Sequence, residues 1–230
     1  MIDLPGELDA LLASWRTCRA SETAHLIDEL SSWFALVLPS LGGKKRAERQ
    51  HAWLLRAERQ SAIDLPRLLE TVGYGTAAEV TQQLEVLAAW PADPRMTWLA
   101  KRMFATPRHA TSSGDQKIWR RLFNLLENHA DARAIAFIDP GSMSRVFDGS
   151  SRGLGMRARA ATVYDWVAKH DAPLADRAAH EALVARITHE LDTGRALRDA
   201  VRMEADDTEQ PSRLVYLDWL MERGYVPSLP

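Results

Sequence analysis

The amino-acid sequence predicts an all-α protein, and three observations carry that prediction. Apolar residues recur at three- and four-residue intervals through most of the chain. The β-branched residues are scattered, and no hairpin dipeptide separates two alternating runs. Turns that contain Asp separate successive helices at a near-constant offset. Ala92-Asp93-Pro94-Arg95 is followed 38 residues later by Ala130-Asp131-Ala132-Arg133, and Asp171-Ala172-Pro173 is a looser third instance. Asp is a good N-cap and Pro suits a first helical position, so each copy reads as a tight helix-to-helix turn.

The elements follow in order. Glu7 to Arg19 carries Leu8, Leu11, Leu12 and Trp15 on one stripe. Ser21 is the expected N-cap of a second helix, which points Leu26, Ile27, Leu30, Phe34 and Leu38 inward and stops at Pro39. Lys44 to Gln60 reads as a helix with Trp53, Leu54 and Ala57 on its apolar face. Asp64 and Pro66 open a short helix that runs to Val72, and Thr76 caps the next, which ends at Trp90. Two long loops are expected, Ala105 to Asp115 and Asp139 to Gly155. Met156 to His170 then reads as a helix with Val163, Trp166 and Val167 inward. Leu174 to Leu191 follows, with a break at Thr193-Gly194 before Ala196 to Met203.

Helix-pair periods of roughly 40–47 residues are those of HEAT and armadillo stacks. The expected architecture is therefore a degenerate HEAT-like solenoid of helical hairpins over 1–194, with a small helical unit over 195–230 packed on it.

Composition narrows the function. The 230 residues, 46% of them hydrophobic, suffice for a sizeable core. A formal net charge of -2 argues against nucleic acid as a partner, because dedicated binders carry a basic footprint. One cysteine, Cys18, excludes an internal disulfide framework and fits a reducing cytoplasm. The longest apolar stretch, Trp33 to Leu38, is far short of the roughly 20 residues that span a bilayer. Eight Trp outnumber the Phe and the Tyr; such rings fill gaps between short helices or anchor interfaces.

Motifs of chemistry are absent or out of register. His180-Glu181 and His189-Glu190 stand nine residues apart, on opposite helical faces, so the two-His zinc arrangement is not met. Cys18 has no evident base, and Gly153 to Ala158 mimics a dinucleotide fingerprint without the strand that must precede it. No catalytic residue, cofactor or metal is expected. Arg152, Arg157 and Arg159 around a helix N-terminus are the candidate contact for an anion or an acidic partner. Lys44-Lys45-Arg46 with Arg49, and Lys117 with Arg120 and Arg121, read as solvated faces interleaved with acids.

The most particular stretch lies near the C-terminus. After the acidic Asp206-Asp207 comes Arg213-Leu214-Val215-Tyr216, then Asp218-Trp219-Leu220 and Glu222-Arg223-Gly224. This resembles the short repeat-companion domain of myxobacterial and planctomycete proteins, over about 35 residues. Departures from its pattern are Ser212 between the Pro and the Arg, with Leu217, Met221 and Tyr225 in place of Ala, Glu and Asp. The resemblance implies a bacterial unit that accompanies repeat regions and carries no established activity. Its motif residues Arg213, Tyr216, Asp218, Trp219, Glu222, Arg223 and Gly224 are expected to be structural. The function expected is a cytoplasmic, non-enzymatic protein–protein interaction module: an adaptor, scaffold or regulatory subunit. The alternatives are a HEAT-like nucleic-acid-binding or base-excision protein, and a protease substrate or toxin-regulating subunit exposing the 139–155 loop.

Overall fold

A computed structural model of the chain describes residues 3–37, 45–106, 115–203 and 211–223. Among these are twelve α-helices and one 3-10 turn, with no strand. Helices α1 (Leu4–Thr17) and α2 (Ser21–Val37) form the N-terminal pair. Then come α3 (Arg46–Glu58), α4 (Leu65–Thr71), α5 (Ala77–Ala88), α6 (Arg95–Ala105) and α7 (Asp115–His129). A 3-10 turn, Ala132–Ala134, leads into α8 (Ile135–Ile138), α9 (Pro140–Val146) and α10 (Ser151–Lys169). The long α11 (Arg177–Met203) and α12 (Pro211–Glu222) close the chain.

Alternate helices stack. α3, α5, α7 and α10 pack each on the next, while α4, α6 and the 3-10 turn form a second row beside them. One continuous core runs between the rows, from Trp53 through Leu84, Leu99 and Phe123 to Val163. Helix α2 lies against both α4 and α6, so the second row is partly covered by the N-terminal pair. A separate core joins the chain's two ends: α1 and α2 bury Leu8, Trp15, Ile27 and Trp33 against Ile187 and Leu191 of α11 and Trp219 of α12.

Local signals act where the sequence places them, with instructive exceptions. The Thr76 hydroxyl accepts from the Glu79 amide while the Glu79 carboxylate accepts from the Thr76 amide, a reciprocal cap for α5. Ser21 is not a cap but the first residue of α2, and Pro5 starts α1 earlier than its apolar stripe suggests. The third Asp turn plays no capping part. α11 begins at Arg177, and it is Asp176 that accepts from the Ala179 amide. The expected loop 139–155 is mostly helix. The Asp139 carboxylate accepts from the Gly141 and Ser142 amides to start α9, and the Ser150 hydroxyl accepts from Gly153 to start α10. The Ser and Gly that read as loop are here helix starts. The Ala105 to Asp115 loop lies largely outside the described residues, as do Leu38, Pro39 and Gly224.

The expected break at Thr193-Gly194 is absent, and α11 is one helix of 27 residues. Gly194 serves another purpose. A Cβ there would lie 2.5 Å from Trp219 Cη2 and 2.8 Å from Trp33 Cη2. The missing side chain is a notch that admits two indoles, packed edge to face with centroids 5.5 Å apart. Residues 194 and 195, where the boundary is expected, lie inside a continuous helix that packs on α12.

Candidate interaction surface

Tryptophan burial separates packing from exposure. Six of the eight indoles are buried (Trp15, Trp33, Trp53, Trp90, Trp119 and Trp219), and Trp166 is half-buried. Trp98 is 44% exposed. It projects from α6 beside a second exposed ring, Tyr74, at 58%.

Arg102 holds these rings in one array. It lies one turn beyond Trp98 on α6 and reaches the open C-terminal end of α4. There it donates to the carbonyls of Leu69, Glu70 and Val72 at 2.6, 2.9 and 2.6 Å. Carbonyls at a helix C-terminus are short of amide partners, although Leu69 also accepts from the Val72 amide at 3.3 Å, and a cation there is favourable. The chain then leaves α4 through Gly73, whose φ of 92 is left-handed and suits only glycine well. That exit places Tyr74 over the guanidinium. The Arg102 carbon lies 4.9 Å from the Trp98 centroid and 5.5 Å from that of Tyr74. Capping thus fixes the arginine, and the arginine aligns two aromatic rings at the surface.

Two clefts flank the array. One, of about 290 Å³, is lined by Arg46, Arg49, Gln50, Glu70, Tyr74 and Glu79. Glu79 is already engaged. Its carboxyl is held down at about 2, first by the Arg46 guanidinium and then by the Thr76 amide and hydroxyl. The other cleft, of about 170 Å³, lies between α2, α4 and α6 and is lined by Asp28, Ser31, Ser32, Glu70, Arg95 and Trp98. Glu70 stands between the two.

Behind this second cleft runs a ladder of buried charges built on the two Asp turns. Asp93 accepts from the Arg95 amide at 3.0 Å and from Nε and Nη2 of the same arginine at 2.9 and 2.6 Å. Asp131 repeats the pattern with Arg133, at 3.0, 2.7 and 2.8 Å. Arg133 also donates to the Pro94 carbonyl and to Asp28, so one turn is tied to the next and to α2. His129 joins them, its Nδ1 accepting from the Asp93 amide at 3.2 Å. Burial lowers the His129 pKa to about 4, helped by Arg19 and Arg16 against the opposing pull of Asp93. Asp28 moves upward, because its loss of water outweighs the attraction of Arg133.

The arginines expected at an anion site are dispersed. Arg157 donates to the Phe147 carbonyl at the end of α9. Arg159 pairs with Glu127 and donates to Asn124, both on α7. Arg152 is exposed, and the α10 terminus it was expected to serve is capped by Ser150 with Asp148 close by.

The C-terminal motif residues divide between α12's two sides. Trp219 is buried, with Arg223 4.3 Å over its ring, and Arg223 Nε donates to Glu190 at 2.7 Å. Tyr216 is half-buried and lies parallel to Trp219. Glu222 pairs with Arg223 at 3.4 Å, while Arg213 and Asp218 are exposed. His180 and His189 join no metal-binding cluster among the described residues, and no described helix is long and apolar enough to cross a membrane.

Sequence reasoning missed Tyr74, Arg102 and Glu70 as surface groups. The available signal was Trp98 and Arg102 four apart on one helix, with a Gly-Tyr-Gly turn one helix earlier in the chain. Comparison with protein-family models, curated proteins and solved structures finds no match for this chain.

Proposed function

We propose that this chain is a non-enzymatic protein–protein interaction module: a cytoplasmic adaptor, scaffold or regulatory subunit that binds through the Trp98–Arg102–Tyr74 face. The observation that carries the reading is the array itself. Two large exposed rings are aligned on an arginine between two clefts, and Trp, Tyr and Arg are the residues that dominate binding energy at interfaces. A rigid, preorganised anchor loses little side-chain entropy on binding. The two rows of alternating helices support a HEAT-like stack as the framework. The docking of α12 through Trp219 and Arg223 supports a repeat-companion unit as its terminal piece.

The nucleic-acid alternative draws less support. Arg46 is paired with Glu79, and Arg121 with Glu85 at 2.6 Å, so each basic cluster is partly compensated. Capture from the source cell, read by mass spectrometry, tests the proposal. A partner retained by the parent protein should be lost with Trp98→Ala and Tyr74→Ala combined, at unchanged melting temperature. Leu154→Ala, which alters an exposed residue elsewhere, should retain it. Equal capture by the double variant would refute the assignment of this face. DNA binding that weakens steeply with salt would favour the alternative instead.

A further inference from the structure

The cleft between α2, α4 and α6 has a chemistry distinct from the rest of the face. Its lining includes the carboxylates Asp28 and Glu70, with Ser31, Leu69 and the Trp98 indole. Arg95 also reaches this cleft, but its guanidinium is committed. It is 3% exposed, forked onto Asp93, and Nη1 donates to Ser31 and to the Ala62 carbonyl. Arg102 is spent on the three α4 carbonyls.

The carboxylates are not matched in the same way. Asp131 and Asp93 have side chains 0% and 3% exposed, each holding its own arginine in a fork. Asp28 has no arginine of its own among the described residues. It shares Arg133 through Oδ2 alone, and its side chain is 35% exposed. Among the described residues Glu70 pairs with Arg67 alone, at 3.3 Å, and it stays 45% exposed. Two under-compensated carboxylates and an indole therefore line one small recess. The fold repeatedly stacks guanidinium on indole, with Arg19 on Trp15 and Trp166 and Arg223 on Trp219. Trp98 already accepts Arg102 in this manner.

We infer that this cleft is a socket for a basic side chain, arginine or lysine, presented by the protein partner. The inference rests on the interaction reading above and adds the partner's chemistry: a cation inserted beside Trp98, with Asp28 and Glu70 receiving its N–H groups. A carboxylate in place of the cation would meet two like charges, so the socket selects against acidic partners. The burial that raises the Asp28 pKa in the free protein would be offset by such a ligand.

The test uses the full chain labelled with 5-fluorotryptophan, its Trp98 fluorine resonance assigned through Trp98→Phe, and tetra-arginine and tetra-lysine amides as probes at fixed ionic strength. The Trp98 resonance should shift saturably with both and not with tetraglutamate. Glu70→Gln and Asp28→Asn should each weaken the effect by about threefold to tenfold, as expected for a partly exposed charge contact. Neutralising an exposed acid elsewhere, Glu181→Gln, should leave it unchanged. Because Asp28→Asn also loosens Arg133, the surface variant Glu70→Gln decides if the other fails to fold. No shift at Trp98, an effect insensitive to Glu70→Gln, equal weakening by Glu181→Gln, or a shift induced only by a DNA duplex would overturn the socket. If the Trp98 and Tyr74 variants abolish partner capture while tetra-arginine leaves Trp98 unmoved, the interaction face stands and the socket alone is wrong.

Discussion

The turns at Asp93 and Asp131 begin from the same local instruction and end in different surroundings. In each, a carboxylate accepts the amide and the guanidinium of the arginine two residues on. Arg95 is then closed over, its remaining donors taken by Ser31 and the Ala62 carbonyl. Arg133 is 15% exposed and is shared with Asp28, which opens to solvent. One turn is a sealed rivet. The other leaves a carboxylate partly unpaid at the edge of a cleft. A buried pair does structural work when every donor has a partner; a shared one leaves chemistry available to a ligand.

Breaking one contact in each turn should separate the two. Arg95→Ala strands the buried Asp93 carboxylate and should cost about 4 kcal/mol, whereas Asp28→Ala, which leaves Arg133 forked onto Asp131, should cost about 1 kcal/mol because water already reaches that pair. Urea unfolding of both variants checks this, and equal losses would mean that burial does not distinguish the turns.

The aromatic junction at the other core sets the scale. Trp219→Ala removes an indole wedged between Trp33 and Gly194 and should cost roughly 3 kcal/mol by emptying core volume. A melting temperature left unchanged would show α12 to be loosely attached and Trp219 free to anchor a partner.

His129 tests both turns together, since it follows α7 into one and accepts an amide from the other. Its pKa is lowered from 6.5 to about 4 in the fold, so the neutral form is the stable one. The unfolded chain then binds the extra proton first. The contribution is whole above about pH 6.5 and is lost as the pH falls through 4, up to roughly 3 kcal/mol. His129→Asn keeps an acceptor without a titrating ring, and should flatten the stability profile over that window. A slope identical to the parent's would assign the acid sensitivity elsewhere.

The smallest effect belongs to an Asp turn that lacks the arginine. Asp139-Pro140-Gly141 caps α9 at the surface, and Asp139→Ala should cost about 1 kcal/mol in thermal unfolding, the value of a cap alone. A loss as large as that of Arg95→Ala would show that the arginine adds nothing to the turn.

Much of the framework is legible in the chain. The helical stripes at Leu8 to Trp15, Leu26 to Phe34 and Val163 to Val167 face inward because a 3.6-residue period leaves one side apolar wherever it occurs. The helix starts at Thr76, Asp93 and Asp131 follow from carboxylates and hydroxyls placed to accept nearby amides. The sequence misleads where one residue type has two uses. Gly194 reads as a breaker and is a notch; Ser150 and Gly153 read as loop and start a helix. Basic residues at 157 and 159 read as a free cluster, yet each finds an internal acceptor.

What the sequence by itself determined is local: the all-helical class, the inward faces and the paired Asp turns, since each depends on residues within about one or two helical turns of one another. Tertiary structure decided which tryptophan would be left outside and which carboxylate would go short of a partner. Trp98 is exposed because α6 presents it to the open cleft shared with α2 and α4, and Asp28 is under-compensated because Arg133, 105 residues away, is already forked onto Asp131. Periodicity carries no record of contacts between residues so far apart in the chain.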